Sequence, residues 1–159
     1  HVEPSGVSGD MLEQVKRVVF HALDTLKITD SASHTELKIS ESGDIKLIEI
    51  GGRMGGDYIG SDLVQMSTGI DFVRAVIQVA AGEKPDLSKM QNTEVAAVRF
   101  VLDEKDKAAL EQLEKEHPEY IVKKEFHEGK GEVVDSSTRR GVCLMHADTF
   151  EKLKPYLPD

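Results

Sequence analysis

His34-Thr35-Glu36-Leu37-Lys38-Ile39 is joined through Glu41-Ser42-Gly43-Asp44 to Leu47-Ile48-Glu49-Ile50. Directly after that comes Gly51-Gly52-Arg53-Met54-Gly55-Gly56-Asp57-Tyr58-Ile59-Gly60. The two apolar-alternating segments read as strands, 34–40 and 45–50. The Ser-Gly-Asp turn between them makes them a hairpin. Side chains alternate with period two along a strand, so the hairpin can bring Glu36 and Glu49 to one side of one sheet. The next ten residues hold five glycines (51, 52, 55, 56 and 60), too many for a regular element.

Two carboxylates on one face suit a hard cation such as Mg²⁺. That ion takes one or two carboxylates and completes its shell with water and substrate phosphates. Arg53 and the open backbone of a glycine-rich loop suit anionic oxygen. Together they point to phosphoryl chemistry. Lys38 shares the side of Glu36 and is a candidate phosphate contact.

The chain has 159 residues, 39% hydrophobic and 31% charged, as expected of a soluble globular protein of one domain or two small units. With 29 acidic and 20 basic residues its formal charge is −9, which argues against nucleic-acid binding. The one cysteine, Cys143, rules out an internal disulfide, and its apolar setting, Val142-Cys143-Leu144-Met145, predicts a buried, inert thiol. No run of about 18 apolar residues predicts a membrane span. No signal peptide is visible. The expected setting is the cytoplasm. The first residue is His1, and the chain reads as a piece of a longer protein.

Outward from the hairpin, apolar residues at helical spacing predict a helix from Asp10 to about Ile28. Asp10 and Glu13 stand at the spacing of a capping box. A helical stretch is expected over Ser61–Ser67, and another after Gly69, capped by Asp71 and stopped by Gly82 and Pro85. Residues 83–93 read as a linker. Beyond them come a strand over Glu94–Leu102, a helix from Asp103 or Asp106 that Pro118 ends, and a strand over Tyr120–Lys124. Further strands are expected near Glu132–Val134 and over Gly141–His146, with a short helix near Thr149–Leu153. The expected fold class is α+β: helices packed on an antiparallel sheet in residues 1–82, then a small α+β domain in residues 94–159.

The segment His34–Gly82 resembles the end of the ATP-binding region of ATP-grasp enzymes. That family carries Glu-hydrophobic-Asn-x-Arg at the end of its last core strand, and Glu49-Ile50-Gly51-Gly52-Arg53 matches it. A second family glutamate precedes on the antiparallel strand, where Glu36 stands. The continuation Arg53-Met54-Gly55-Gly56-Asp57, then Ser67-Thr68-Gly69-Ile70-Asp71-Phe72-Val73, looks most like the carboxylate–amine ligase branch, with its L-amino-acid ligases and biotin-carboxylase-like relatives. The resemblance covers residues 1–82; residues 94–159 look like the C-terminal domain of the same enzymes.

The resemblance implies that ATP activates a carboxylate as an acylphosphate, which an amine then converts to an amide. It implies ATP and Mg²⁺ as cofactors, with Glu36 and Glu49 as metal ligands. Arg53 is implied as the catalytic arginine at the transferring phosphoryl group, and Glu36, Lys38, Glu49 and Arg53 as the nucleotide-binding set. Gly55, Gly56 and Asp57 are implied at the substrate carboxylate. Gly51 stands where the family has asparagine, so one ligand is missing; water, Asp57 or Asp62 would fill it. The family's upstream ATP-grasp domains are implied as partners in the same parent chain, and the isolated chain is expected to be inactive. The implied substrates are a small-molecule carboxylate and an amine. Two rival readings stay open. One is a non-catalytic metabolite- or anion-binding module. The other is an oligomerisation unit, such as a homodimer formed through the C-terminal sheet. Taken singly, His34 reads as a structural histidine, and Ser61 and Asp62 as capping residues.

Overall fold

The strands Val95–Val101 (β4) and Gly141–Ala147 (β6) are buried almost throughout, as strands at the centre of a sheet should be. In the computed structural model, which describes residues 1–88, 94–127 and 132–158, they pair antiparallel from Val95 opposite Ala147 to Val101 opposite Gly141. Ile121–Phe126 (β5) adds to the far side of β6, and Val2–Glu3 (β1) to the free side of β4. The four-stranded order is β1-β4-β6-β5. The sheet belongs to a compact unit made of His1–Pro4, Asp62–Ile70 and Lys89–Asp159.

Helix Glu104–Glu116 (α4) starts where Asp103 accepts a hydrogen bond from the Asp106 N–H at 2.9 Å, the N-cap expected of an aspartate there. Pro118 opens the 3-10 turn that follows the helix. The helix buries Leu110 and Leu113 against Ala97, Val101, Cys143 and Met145. The short helix Phe150–Leu153 (α5) adds Leu153 to this core, and Tyr156 closes it. Burial pushes the Cys143 thiol up to about 11, which fits an inert side chain. Among the described residues one charged side chain, Arg99, is buried here. Arg99 Nη2 lies 2.7 Å from Asp106 Oδ1, and Arg99 Nη1 donates to the Tyr156 carbonyl at 2.5 Å. Burial alone would raise the Asp106 carboxyl, but the Arg99 hydrogen bonds and charge together with backbone donors, the Leu102 N–H among them, outweigh it and hold the group below its usual range.

Two differences from the sequence reading lie in this unit. Glu132–Val134 is not a strand. The backbone N–H groups of Val134 and Asp135 both donate to the Thr138 hydroxyl, at 2.9 and 3.1 Å, and Asp135 caps the 3-10 turn Ser136–Thr138. A local cap has taken the donors that a ladder would need. Strand β1, conversely, was not foreseen.

The second unit comprises Ser5–Ser61 and Asp71–Ser88. Its long helix, Gly9–Leu26 (α1), ends at Lys27, which adopts the left-handed conformation (φ 56°) and donates to Asp24 and Leu23 carbonyls. Ser8, not Asp10, holds the N-cap position, and Glu13 pairs with Lys16 at 2.8 Å instead of closing a capping box. The hairpin forms as expected from His34–Ile39 (β2) and Ile45–Gly51 (β3). Its turn is closed by Gly43 N–H to the Ser40 carbonyl at 2.9 Å, with Gly43 at φ +88°. Helix Phe72–Ala80 (α3) is capped by Asp71, which accepts from the Arg74 N–H at 2.9 Å.

Between these lies a π-helical turn, Ile59–Leu63, continued as the short helix Val64–Thr68 (α2). Part of α2 is buried through Ser67, whose hydroxyl donates to the Leu63 carbonyl at 2.7 Å and to Glu3 at 3.3 Å. Burial raises the Glu3 carboxyl above its ordinary value. The mixed architecture is α+β with antiparallel sheets, the expected class. The compact units follow a different line from the linear division 1–82, 83–93 and 94–159. Residues 1–4 and 62–70 fold with the C-terminal part.

Candidate active site

Every residue singled out in the hairpin and its loop belongs to one unit. The β2–β3 register sets Glu36 directly opposite Glu49. Directly opposed side chains have Cβ atoms about 5 Å apart and share a face. The ladder then shifts, because Leu37 pairs with Leu47 and Ile48 is left over as a bulge. Lys38 consequently faces Lys46. Since 36 and 38 share a side, one face of the hairpin carries an acidic pair and, next to it, a basic pair. Strict alternation along β3 sets Lys46 on the side away from Glu49. The bulge reverses that, so Lys46 is a candidate that no reading of the strand alone could find. The sole hint was that the segment is Leu-Ile-Glu-Ile, with no polar residue marking the outer face.

Glu36 and Glu49 are both exposed, with side chains 58% and 63% accessible. A buried-carboxylate argument therefore does not apply to Glu49. What marks the pair is its opposition: two like charges face each other across a ladder, an arrangement that costs stability unless a cation lies nearby. Arg53 Nη2 is 4.0 Å from Glu49, an exposed pair of small net worth by itself. Arg53 Nη1 donates to the Met54 carbonyl at 2.9 Å, which turns the guanidinium back along its own loop. It also runs over Gly51, where a Cβ would meet Arg53 Cγ at an ordinary 3.5 Å. A side chain at position 51 would fit.

The glycine loop is closed on itself. Ile59 N–H reaches the Gly56 carbonyl at 2.8 Å, and Gly60 N–H the Gly55 carbonyl at 3.3 Å. Ser31 Oγ donates to the Gly52 carbonyl at 3.0 Å and ties the loop's start to the segment before β2. Asp57 and Tyr58 are both left-handed, at φ 50° and 64°, a conformation rare for such residues and concentrated at ligand sites. Gly56 is open to solvent; Gly55 is buried. A Cβ on Gly55 would sit 2.9 Å from His34 Nδ1, and one on Gly60 3.0 Å from the Gly55 carbonyl, so a side chain at either point would force a neighbour to move.

Among the described residues no group of three or more His, Cys, Asp or Glu side chains forms a ready metal centre. A two-carboxylate face fits Mg²⁺, which keeps water and uses phosphate oxygens for the remaining positions. It would not fit an ion that demands a full protein cage. No described helix is long and apolar enough to cross a membrane.

No family model matches the chain, and no curated protein matches it in sequence. Solved structures do match in fold. Phosphoribosylglycinamide synthetase from Anaerococcus prevotii aligns over 97% of this chain and 41% of its own, at TM-score 0.74 and 19% identity. The L-amino acid ligase from Bacillus licheniformis aligns over 98% of this chain and 40% of its own, at TM-score 0.70 and 20% identity. The biotin carboxylase domain of 2-oxoglutarate carboxylase from Hydrogenobacter thermophilus aligns over 92% and 34%, at TM-score 0.54 and 18% identity. It was solved as a dimer with MgADP, ADP and bicarbonate. The chain thus has the fold of part of the ATP-grasp carboxylate–amine ligases, as its motif implied. It spans about two fifths or less of the length of each of these structures.

Proposed function

We propose that this chain is the C-terminal part of an ATP-grasp ligase that activates a small-molecule carboxylate with ATP and Mg²⁺ and joins it to an amine. The observation that supports this most directly is the register of Glu36 opposite Glu49, with Arg53 four residues after Glu49. The ligases whose fold it shares lend the reaction class.

In this reading Glu36 and Glu49 hold Mg²⁺, which would neutralise charge on the ATP phosphates. Arg53 presents a planar fork that stays charged at any working pH and binds the oxygens of the transferred phosphoryl group. Lys38, joined by Lys46, adds positive charge beside the carboxylate pair. The backbone at Gly55 and Gly56 and the side chain of Asp57 orient the substrate. No side chain in this set is asked to carry a proton. Positioning and charge account for the rate, as phosphoryl transfer requires. The remaining ATP-grasp parts of the parent chain complete the site, and the isolated chain is inactive.

The test is phosphate release from ATP and Mg²⁺ by the complete parent protein given a pool of amino acids, with Glu49→Gln alongside. Release that depends on the pool and falls about 100-fold or more in the variant, near 3 kcal/mol of barrier, supports a ligase. Release that is unchanged in the variant excludes this use of Glu49. Gly51→Asn sharpens the test. The position has room for the side chain, and a restored oxygen ligand should tighten Mn²⁺ binding.

A further inference from the structure

His34 opens β2 opposite Gly51, and its ring touches both halves of the candidate site. Nε2 lies 3.6 Å from Glu36 Oε1, and the side chain is 21% accessible. The separation exceeds a hydrogen bond but lies within electrostatic reach. On the other side of the ring, Nδ1 stands 2.9 Å from where a Gly55 Cβ would project. Two residues apart on a strand, His34 and Glu36 share a face. The same ring thus lies against a carboxylate and against the glycine loop that carries Arg53. The loop is closed by its own hydrogen bonds, Ile59 to Gly56 and Gly60 to Gly55.

The geometry points to His34 as a positioning residue: a spacer that sets the Glu36 carboxylate and the Gly51–Gly60 loop at a fixed separation. The inference rests on the reading of Glu36 and Glu49 as metal ligands. The spacer is one of two reasons for glycine at position 55, whose backbone is not left-handed: a Cβ there would meet the His34 ring at 2.9 Å and the Ile59 side chain at 3.0 and 3.1 Å. A methyl group there would press on Ile59 and on the ring, and through the ring on Glu36. His34 needs no change of charge for this role. It acts through bulk and through a polar edge turned toward the carboxylate. Residues that hold a metal ligand in place cost about 10- to 100-fold in metal affinity when removed.

Mn²⁺ is the probe, titrated into the complete parent protein and followed by the spin-resonance signal of the free ion, with thermal unfolding recorded for each variant. Glu36→Gln and Glu49→Gln should each weaken Mn²⁺ binding. His34→Ala should weaken it about tenfold or more while the unfolding midpoint stays near that of the wild type. His34→Gln, which keeps bulk over Gly55 and a polar edge toward Glu36, should recover most of the affinity. Gly55→Ala should also weaken binding. In the double variant Gly55→Ala/His34→Ala the losses should fall short of additive, because the part of the Gly55→Ala loss that runs through the ring is gone and only its contact with Ile59 is left. If the two glutamate variants weaken binding and His34→Ala and Gly55→Ala do not, the positioning role is overturned and the metal reading stands. If the glutamate variants bind Mn²⁺ as the wild type does, both fall.

Discussion

The two compact units differ in what they bury. In the C-terminal unit, Leu110, Leu113, Met145, Cys143 and Leu153 are fully enclosed, and even the buried charge of Arg99 is paired. In the unit that carries the candidate site, the 18-residue helix α1 buries no residue at all, although one face of it is apolar. Phe20, Ile48 and Ile77 remain 61%, 58% and 63% exposed. The first unit holds itself together by packing, whereas the second is held by backbone ladders and loop closures and keeps its polar face open. The proposed function would use this openness, since a site for metal and nucleotide needs accessible carboxylates and an enclosed core cannot supply them. Local stability should follow the same division, with amides of β4 and β6 exchanging far more slowly than those of α1.

Substitutions can break or sharpen this contrast. The largest stability loss is expected from Asp106→Ala, which leaves the buried Arg99 without its carboxylate and should cost about 4 kcal/mol in denaturant unfolding. Leu113→Ala should cost about 3 kcal/mol, since the enclosed core cannot collapse around the gap. Gly60→Ala tests the loop. A Cβ there meets the Gly55 carbonyl and Met54 at 3.0 Å, so about 2 kcal/mol of overpacking is expected, read as a lower unfolding midpoint. Ile77→Ser, on the exposed face, should change stability by less than about 0.5 kcal/mol. A large loss there would show that α3 buries this face in solution and would erase the contrast.

Acid offers a further probe of the enclosed unit. The Asp106 carboxyl is held below its usual range in the folded protein. Near pH 4, about the ordinary aspartate value, the unfolded chain therefore binds the extra proton. The stabilisation is complete above that value and is lost as pH falls toward the lower folded one. The unfolding midpoint should thus drop more steeply on acidification in the wild type than in Asp106→Asn.

Much of the fold was legible in local pattern. The Asp71 and Asp103 caps, the hairpin, the glycine loop and the buried Cys143 follow from side-chain chemistry within a few residues. Glu132–Val134 failed for a reason equally local but stronger: Thr138 and Asp135 offer the backbone a cap, and a β-prone valine pair cannot compete with donors already taken. Period-two alternation allowed Glu36 and Glu49 one face, but with Ile39 opposite Ile45 a regular ladder would set Glu36 opposite Ile48, and it is the bulge that brings Glu49 there. The position of Lys46 was not foreseeable, because a bulge is a property of two paired strands and leaves no mark in one.

By itself, then, the sequence determined the order and kind of most elements and the identity of the acidic pair and its arginine. Propensity, capping and periodicity are set by neighbours along the chain. Tertiary structure alone decided that Val2–Glu3 joins a sheet whose partner strand begins more than ninety residues later, that the bulge at Ile48 turns Lys46 to the acidic face, and that His34 meets Gly55. Each of these depends on which distant backbone a segment meets, and that choice is made by the free energy of the assembled fold, not by any short stretch of it.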